Sequence, residues 1–267
     1  MILVNGVPED CVDARDRGLA YGDGVFRTLR TNGGEPTWWA DHYAKLAADC
    51  AVLGLECPGE AVLHAEVRQV AESMEGVVKI IVTRGAAARG YALPAVQVPT
   101  RIVSAAPLPD YALETDGVTV RWCALRLSRQ PRLAGVKHLN RLENVLARAE
   151  WGDPAIFEGL LCDDGGAVIG GVMSNLVTIH DGVLATPDLG ASGVAGVTRA
   201  RLLRAAARRG IAVRVERLLP ADILAADEVM LCNSVFGVRR VARLEEAYWA
   251  PAGWSDTLRA ALDEEMD

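Results

Sequence analysis

Lys45, Lys79 and Lys137 are the only lysines in a chain of 267 residues with 28 lysines and arginines. A lysine among apolar neighbours holds its proton less tightly, which favours both imine formation and proton abstraction. Lys137 ends the apolar run Ala-Gly-Val-Lys just before Asn140, and it also reads as an ordinary solvated loop lysine. Lys79 lies among apolar residues too, so surroundings alone do not choose between them. A second chemical signal is LGASGVAGVTRARLL, a glycine-rich turn running into a helix. Free N–H groups and the positive end of a helix dipole make such a turn an anion site, most naturally for phosphate, with the Thr198 hydroxyl as a further donor. The same segment also reads as a plain flexible connection. Its G-x-x-G-x-x-G spacing departs from the dinucleotide pattern G-x-G-x-x-G, and the hairpin before it is antiparallel. A third signal is LCNSVFGV, where Asn233 and Ser234 suit an oxyanion or a simple Asx- or Ser-type turn.

The elements that position these groups follow from periodicity and turn residues. Asn5-Gly6 predicts a hairpin after Ile2 and Val4. Val25–Arg30 alternates as a strand, with Phe26 and Thr28 on one side and Arg27 on the other. Asn32-Gly33-Gly34 turns the chain back. Asp41 is the expected cap of a helix with Tyr43, Leu46, Ala47, Cys50 and Leu53 on one face and Gly54 as its stop. A second helix is expected from about Pro58 to Met74, then a strand over Val77–Thr83 that is buried apart from Lys79. Four prolines between Pro94 and Pro109 mark the best linker, Ser104–Gly117. The division expected is an N-terminal α+β domain over 1–106, a linker over 107–117 and a C-terminal domain over 118–267. In the last, Val118, Val120 and Trp122 alternate as a strand. Asn140 to Glu143 reads as a capping box, opening a helix that buries Leu142, Val145, Leu146 and Ala149. Turns at Asp163–Gly166 and Asp181-Gly182, a helix over Val197–Arg209, and strands over Ile211–Val215 and Val229–Cys232 complete the second half.

Composition bounds the partners. Net charge is -7 without a long basic run, so no nucleic-acid groove is expected. No apolar stretch approaches the ~18–20 residues of a membrane span, and the N-terminus lacks the pattern of a secretory signal. Six scattered cysteines without a C-x-x-C pair, and four histidines without ligand spacing, predict reduced thiols, no metal site and a cytoplasmic protein.

Taken in order, DRGLAYGDGVFRTLR, TRGAAARGY, RQPRLAGVKHLNRLENVLARAE, VMSNL, GVAGVTR and DEVMLCNSVFGVRRV resemble the segments of the fold-type IV pyridoxal phosphate (PLP) enzymes. That group contains branched-chain and D-amino-acid aminotransferases and deoxychorismate lyases, and KHLNRLENVLARAE is similar to the lyase branch. The resemblance spans about Asn5 to Val241. It implies an α+β fold of two domains, an N-terminal α/β sandwich and a barrel-like C-terminal β domain with helices, the latter carrying PLP. It implies a homodimer and a lyase forming 4-aminobenzoate and pyruvate for folate synthesis. A branched-chain or D-amino-acid aminotransferase and a non-catalytic PLP-binding protein are the alternatives. By position, Lys137 matches the lysine that carries the cofactor, and Gly196, Val197 and Thr198 with Ser234 match its phosphate cup. Asn233 adjoins that cup. Thr28 matches a threonine of the lyase substrate site, and Arg89 and Tyr91 fall where the family lines its substrate pocket. Two positions depart from the pattern. Lys45 stands in place of the phosphate-binding arginine, keeping its charge without the fork. Gly170 stands where a glutamate usually meets the pyridine nitrogen.

Overall fold

The computed structural model describes residues 1–110 and 117–264; most of the expected linker, residues 111–116, lies outside them. The chain forms two compact units, one made of Met1–Asp110 together with Val136–Asn140, the other of the remaining described residues.

In the first unit Asn5 and Gly6, at φ 52° and 85°, turn β1 (Ile2–Val4) into β2 (Val7–Pro8), as the dipeptide predicts. A short α1 (Arg17–Tyr21) leads into β3 (Gly24–Asn32), and Gly33-Gly34 returns the chain to β4 (Glu35–Pro36). Helices α2 (Trp39–Leu53) and α3 (Glu60–Ala71) precede β5 (Gly76–Thr83) and β6 (Thr100–Pro107). The strands form an antiparallel sheet in the order β2-β1-β6-β5-β3-β4. Because side chains alternate across a strand, Val25 and Leu29 face one side, where they pack with Leu46 and Cys50 of α2 and with Leu63, Val67 and Val70 of α3. Phe26 and Thr28 face the other. Lys79 pairs with Thr28 on that second face and is exposed, as expected, between the buried Val78 and Ile80. Asp41 does not cap α2: Trp38, at φ 54°, holds that position, and Asp41 lies in the first turn, where its charge still favours the positive helix end. Gly54 stops the helix in the left-handed conformation, as expected.

The second unit contains β7 (Val118–Leu127), α4 (Leu142–Arg148), β8 (Ile156–Asp163), β9 (Val168–Gly171), β10 (Asn175–His180) and β11 (Val183–Pro187). It continues with α5 (Val197–Arg208), β12 (Val213–Glu216), α6 (Pro220–Leu224), β13 (Glu228–Asn233), β14 (Gly237–Leu244), β15 (Ala247–Tyr248) and α7 (Trp254–Asp263). One mixed sheet runs β12-β11-β10-β13-β14-β7-β8-β9, with β15 on β14. Both expected hairpins form, β8 with β9 and β10 with β11. β11 and β12 are parallel and joined through α5, so the turn before α5 lies at the carboxyl end of a strand. The α4 reading needs correction. Arg141, not Asn140, precedes the helix, and no side chain caps it. Leu142, Val145 and Leu146 are 69%, 61% and 54% exposed, while Ala147 is buried. An apolar stripe at helical spacing reports a face that avoids water and is silent on what covers it.

Candidate active site

The segment 136–140 runs beside the free part of the β3 edge. His138 bridges to Val25, the Phe26 N–H donates to the Lys137 carbonyl at 2.9 Å, and the Leu139 N–H donates to the Gly24 carbonyl at 2.9 Å. The Asn140 amide donates to the Gly22 carbonyl at 3.1 Å. Lys137 is half-buried, and its ammonium lies 4.6 Å from the centroid of the Phe26 ring, a cation–π approach that keeps it on the Phe26 and Thr28 face. Lys79 approaches the same ring at 5.1 Å, but from an exposed position.

On the opposite face of β3, Arg27 is 3% exposed and Asp49 of α2 is 1% exposed. Asp49 accepts from the Arg27 guanidinium, from the Lys45 ammonium and, at 3.0 Å, from the Lys137 backbone N–H. Burial and the neighbouring Arg27 charge push Lys45 down to about 8, and burial pushes Arg27 down to about 10. Two cations share one carboxylate here, which leaves this corner of the first unit positively charged and suited to an anion.

Arg89 and Tyr91 lie in the loop between β5 and β6, and both are exposed. Their loop is nonetheless held. The Arg17 guanidinium donates to the carbonyls of Gly90 and Ala92 at 2.9 and 3.3 Å, and the Gly90 N–H donates to the Tyr21 hydroxyl. Arg17 is in turn paired with Asp23, which also takes two hydrogen bonds from Arg84. Burial raises the Asp23 carboxyl, but the two guanidinium groups outweigh it and hold the pKa below the usual carboxylate value.

In the second unit the turn before α5 presents the donor set that an anion would need. Gly196 is its N-cap, so the first N–H groups of α5 have no intrahelical acceptor. The Asn175 side chain accepts from the Gly196 N–H at 3.1 Å and donates to the Val194 carbonyl at 2.8 Å. A Cβ on Gly196 would stand 2.3 Å from the Asn175 oxygen, so a side chain there would displace the Asn175 clamp. Thr198 and Ser234 share a hydroxyl–hydroxyl hydrogen bond of 2.9 Å, which brings the two predicted phosphate donors together. Val197 opens the helix between them. Asn233 forms an Asx turn: its oxygen accepts from the N–H groups of Val235 and Phe236, and its amide donates to the Met173 carbonyl. Its contribution is to shape the backbone around Ser234.

A bound PLP needs a lysine amine, a phosphate cradle and, for its pyridine nitrogen, a hydrogen-bond partner. The donor sets fit the first two. For the third, β9 supplies no side chain at Gly170, and its backbone would not take one. Gly170 has φ 152°, and a Cβ there would lie 2.8 Å from the Ser174 carbonyl oxygen. The buried Glu158 of β8 does not substitute. Gly170 and Gly171 face opposite sides of the sheet, and a Cβ on Gly171 would meet Glu158 at 2.8 Å, placing that carboxylate on the Gly171 side. Glu158 is spent on the Ser174 hydroxyl and the N–H groups of Met173 and Gly159; burial still raises its pKa.

Sequence reasoning did not assign Arg17, Arg27, Asp49 or Asn175. Asp49 carried a signal: it sits in phase with Leu46, Cys50 and Leu53 on a helix face that is otherwise apolar. Asn175 stood in the quoted S-N-L motif without a role.

The chain is similar to known proteins over its whole length. It is 36% identical to an aminodeoxychorismate lyase from Vibrio harveyi, covering 91% of this chain and 90% of that protein. The crystal structure of a 4-amino-4-deoxychorismate lyase from Pseudomonas aeruginosa superposes with a TM-score of 0.95 at 44% identity, covering 100% of both chains. A putative branched-chain-amino-acid aminotransferase from Methanocaldococcus jannaschii is 31% identical over 87% of this chain and 84% of that protein. The family model described as Amino-transferase class IV matches residues 24–244, and the chain belongs to the class IV amino-transferase family.

Proposed function

We propose that this protein is a PLP-dependent lyase that converts 4-amino-4-deoxychorismate into 4-aminobenzoate and pyruvate. Full-length likeness to a lyase of that name, at 44% identity and TM-score 0.95, carries the reading. Each unit supports it separately, the first with a lysine pinned on β3 and the second with phosphate donors at the start of α5. PLP, when bound, supplies an electrophilic carbon for the substrate amine and an electron sink beside the bonds that break. Lys137 holds it there. With PLP bound, the Lys137 amine would be the base that takes the C4 proton of the substrate; the C3–O bond would break as the ring becomes aromatic, and the proton held by Lys137 would be returned to the departing enol, which becomes pyruvate. In the second unit the first turn of α5, Thr198 and Ser234 are the donors for the phosphate; Lys45 in the first unit is proposed as a phosphate cation by its match to the family arginine alone. Thr28, on the Lys137 side of β3, lines the substrate site, and Arg89 offers a forked contact to a substrate carboxylate with Tyr91 beside it.

Gly170 favours this reaction over transamination. A transaminase must keep a carbanion alive until it is reprotonated on the cofactor, and that calls for a protonated pyridine nitrogen. Aromatisation supplies driving force that the cofactor need not, so the missing carboxylate harms a lyase less. The protein acts in the cytoplasm as a homodimer, the second copy covering the exposed Leu142, Val145 and Leu146 of α4.

Borohydride reduction of the yellow holoenzyme, followed by peptide mapping, tests the assignment. The cofactor label is expected on Lys137; a label on Lys45 or Lys79, or none, contradicts it.

A further inference from the structure

We infer that Asp49 is a positioning residue for Lys137, fixing the peptide from which the catalytic amine projects. The inference rests on the assignment of Lys137 proposed above. Asp49 Oδ2 accepts the Lys137 N–H at 3.0 Å across 88 residues of chain, while the Phe26 N–H holds the Lys137 carbonyl at 2.9 Å. These two bonds hold the peptide groups on either side of the Lys137 Cα, and the side chain is directed to the Phe26 face, where its ammonium lies 4.6 Å from the ring centroid.

Nothing in the helix itself asks for an acid at this point. Asp49 lies in the C-terminal part of α2, toward the negative end of the helix dipole, where a carboxylate is disfavoured. It follows Lys45 by four residues, the less favourable order for such a pair. It is 1% exposed, between the core residues Leu46 and Cys50, where an unpaired charge would be costly. Replacing a buried ion pair by apolar residues often costs nothing, so compensation of Arg27 is a weak reason for keeping it. What an apolar side chain could not supply is the acceptor for the Lys137 N–H.

The test uses the full-length chain freed of cofactor and offered pyridoxal, which lacks the phosphate and so keeps the α5 cradle out of the readout. The Lys137 amine condenses with the aldehyde, releasing water; borohydride then traps the adduct, and mapping locates it. Asp49→Ala is expected to slow capture on Lys137 by about tenfold or more, while Asp49→Asn, which keeps an oxygen acceptor without the charge, stays within about threefold of wild type. The paired replacement Arg27→Met with Asp49→Leu removes the buried charges together and keeps a test available if Asp49→Ala does not fold; it too is expected to capture slowly. Wild-type capture rates in folded Asp49→Ala or in the paired variant overturn the inference, as does an Asp49→Asn variant as slow as the tetherless ones. Capture by the wild type on a lysine other than Lys137 overturns the functional assignment instead.

Discussion

Lys45 and Lys137 carry the same side chain into opposite duties, and their surroundings decide which. In the proposed reaction Lys137 acts as a nucleophile and base, whereas the role proposed for Lys45, holding phosphate, needs its charge. Burial and Arg27 bring Lys45 down to about 8, against about 10.4 for an unfolded lysine. Between those values the unfolded chain binds the extra proton. The stability penalty from Lys45 is therefore present below pH 8 and is relieved as the pH rises from 8 towards 10.4. Phosphate affinity runs the other way, since the contact needs the ammonium. PLP affinity, measured by fluorescence titration, is expected to fall as pH rises through about 8; Lys45→Arg should abolish that inflection. Lys45→Ala should weaken PLP by roughly 1–3 kcal/mol at pH 7. Unchanged affinity in the alanine variant would count against a phosphate role for Lys45. Gly170 is the second residue whose surroundings decide its use. A side chain there meets both a φ of 152° and the Ser174 carbonyl. Gly170→Glu is thus expected to lower the melting temperature, with a cost of about 2 kcal/mol or more, and to raise transamination little. A stable Gly170→Glu protein that transaminates briskly would show that β9 can adopt the backbone of a carboxylate-bearing strand.

At the scale of elements, the α5 turn and α4 give the sharpest contrast between what the sequence announced and what it withheld. The glycine spacing, Thr198 and Ser234 were legible because turn and cap chemistry is local. The clamp that shapes the turn was not, since Asn175 comes from β10, twenty-one residues before Gly196. Asn175→Ala removes two hydrogen bonds from the cradle, and PLP should bind about tenfold more weakly, a loss near that of one hydrogen bond. Wild-type PLP affinity in that variant would dissociate the clamp from phosphate binding. In α4 the period was read correctly and the face wrongly, because spacing marks an apolar stripe whether a core or a second subunit covers it. If α4 carries the proposed dimer interface, Leu146→Glu should give a monomer in sedimentation velocity without altering far-ultraviolet circular dichroism. A variant that remains a dimer would move the interface elsewhere.

For the molecule as a whole, the family and the α+β class were readable from the order of six motifs, and the proposal for Lys137 comes from its match within one of them. The grouping of residues 136–140 with β3 was not readable. It depends on main-chain hydrogen bonds between segments more than a hundred residues apart, which leave no periodicity behind. Asp49 stayed hidden for the same reason, its partners being drawn from β3, α2 and the Lys137 segment at once. These long-range contacts define what the lysine can do, and what they are proposed to serve is a single reaction. Incubating the purified holoenzyme with 4-amino-4-deoxychorismate, and quantifying the products by chromatography, tests that reaction directly. Equimolar 4-aminobenzoate and pyruvate, with no oxo acid formed from branched-chain or D-amino acids, is the predicted result. Oxo acid from an amino donor without 4-aminobenzoate, or no turnover with PLP fully bound, would contradict it.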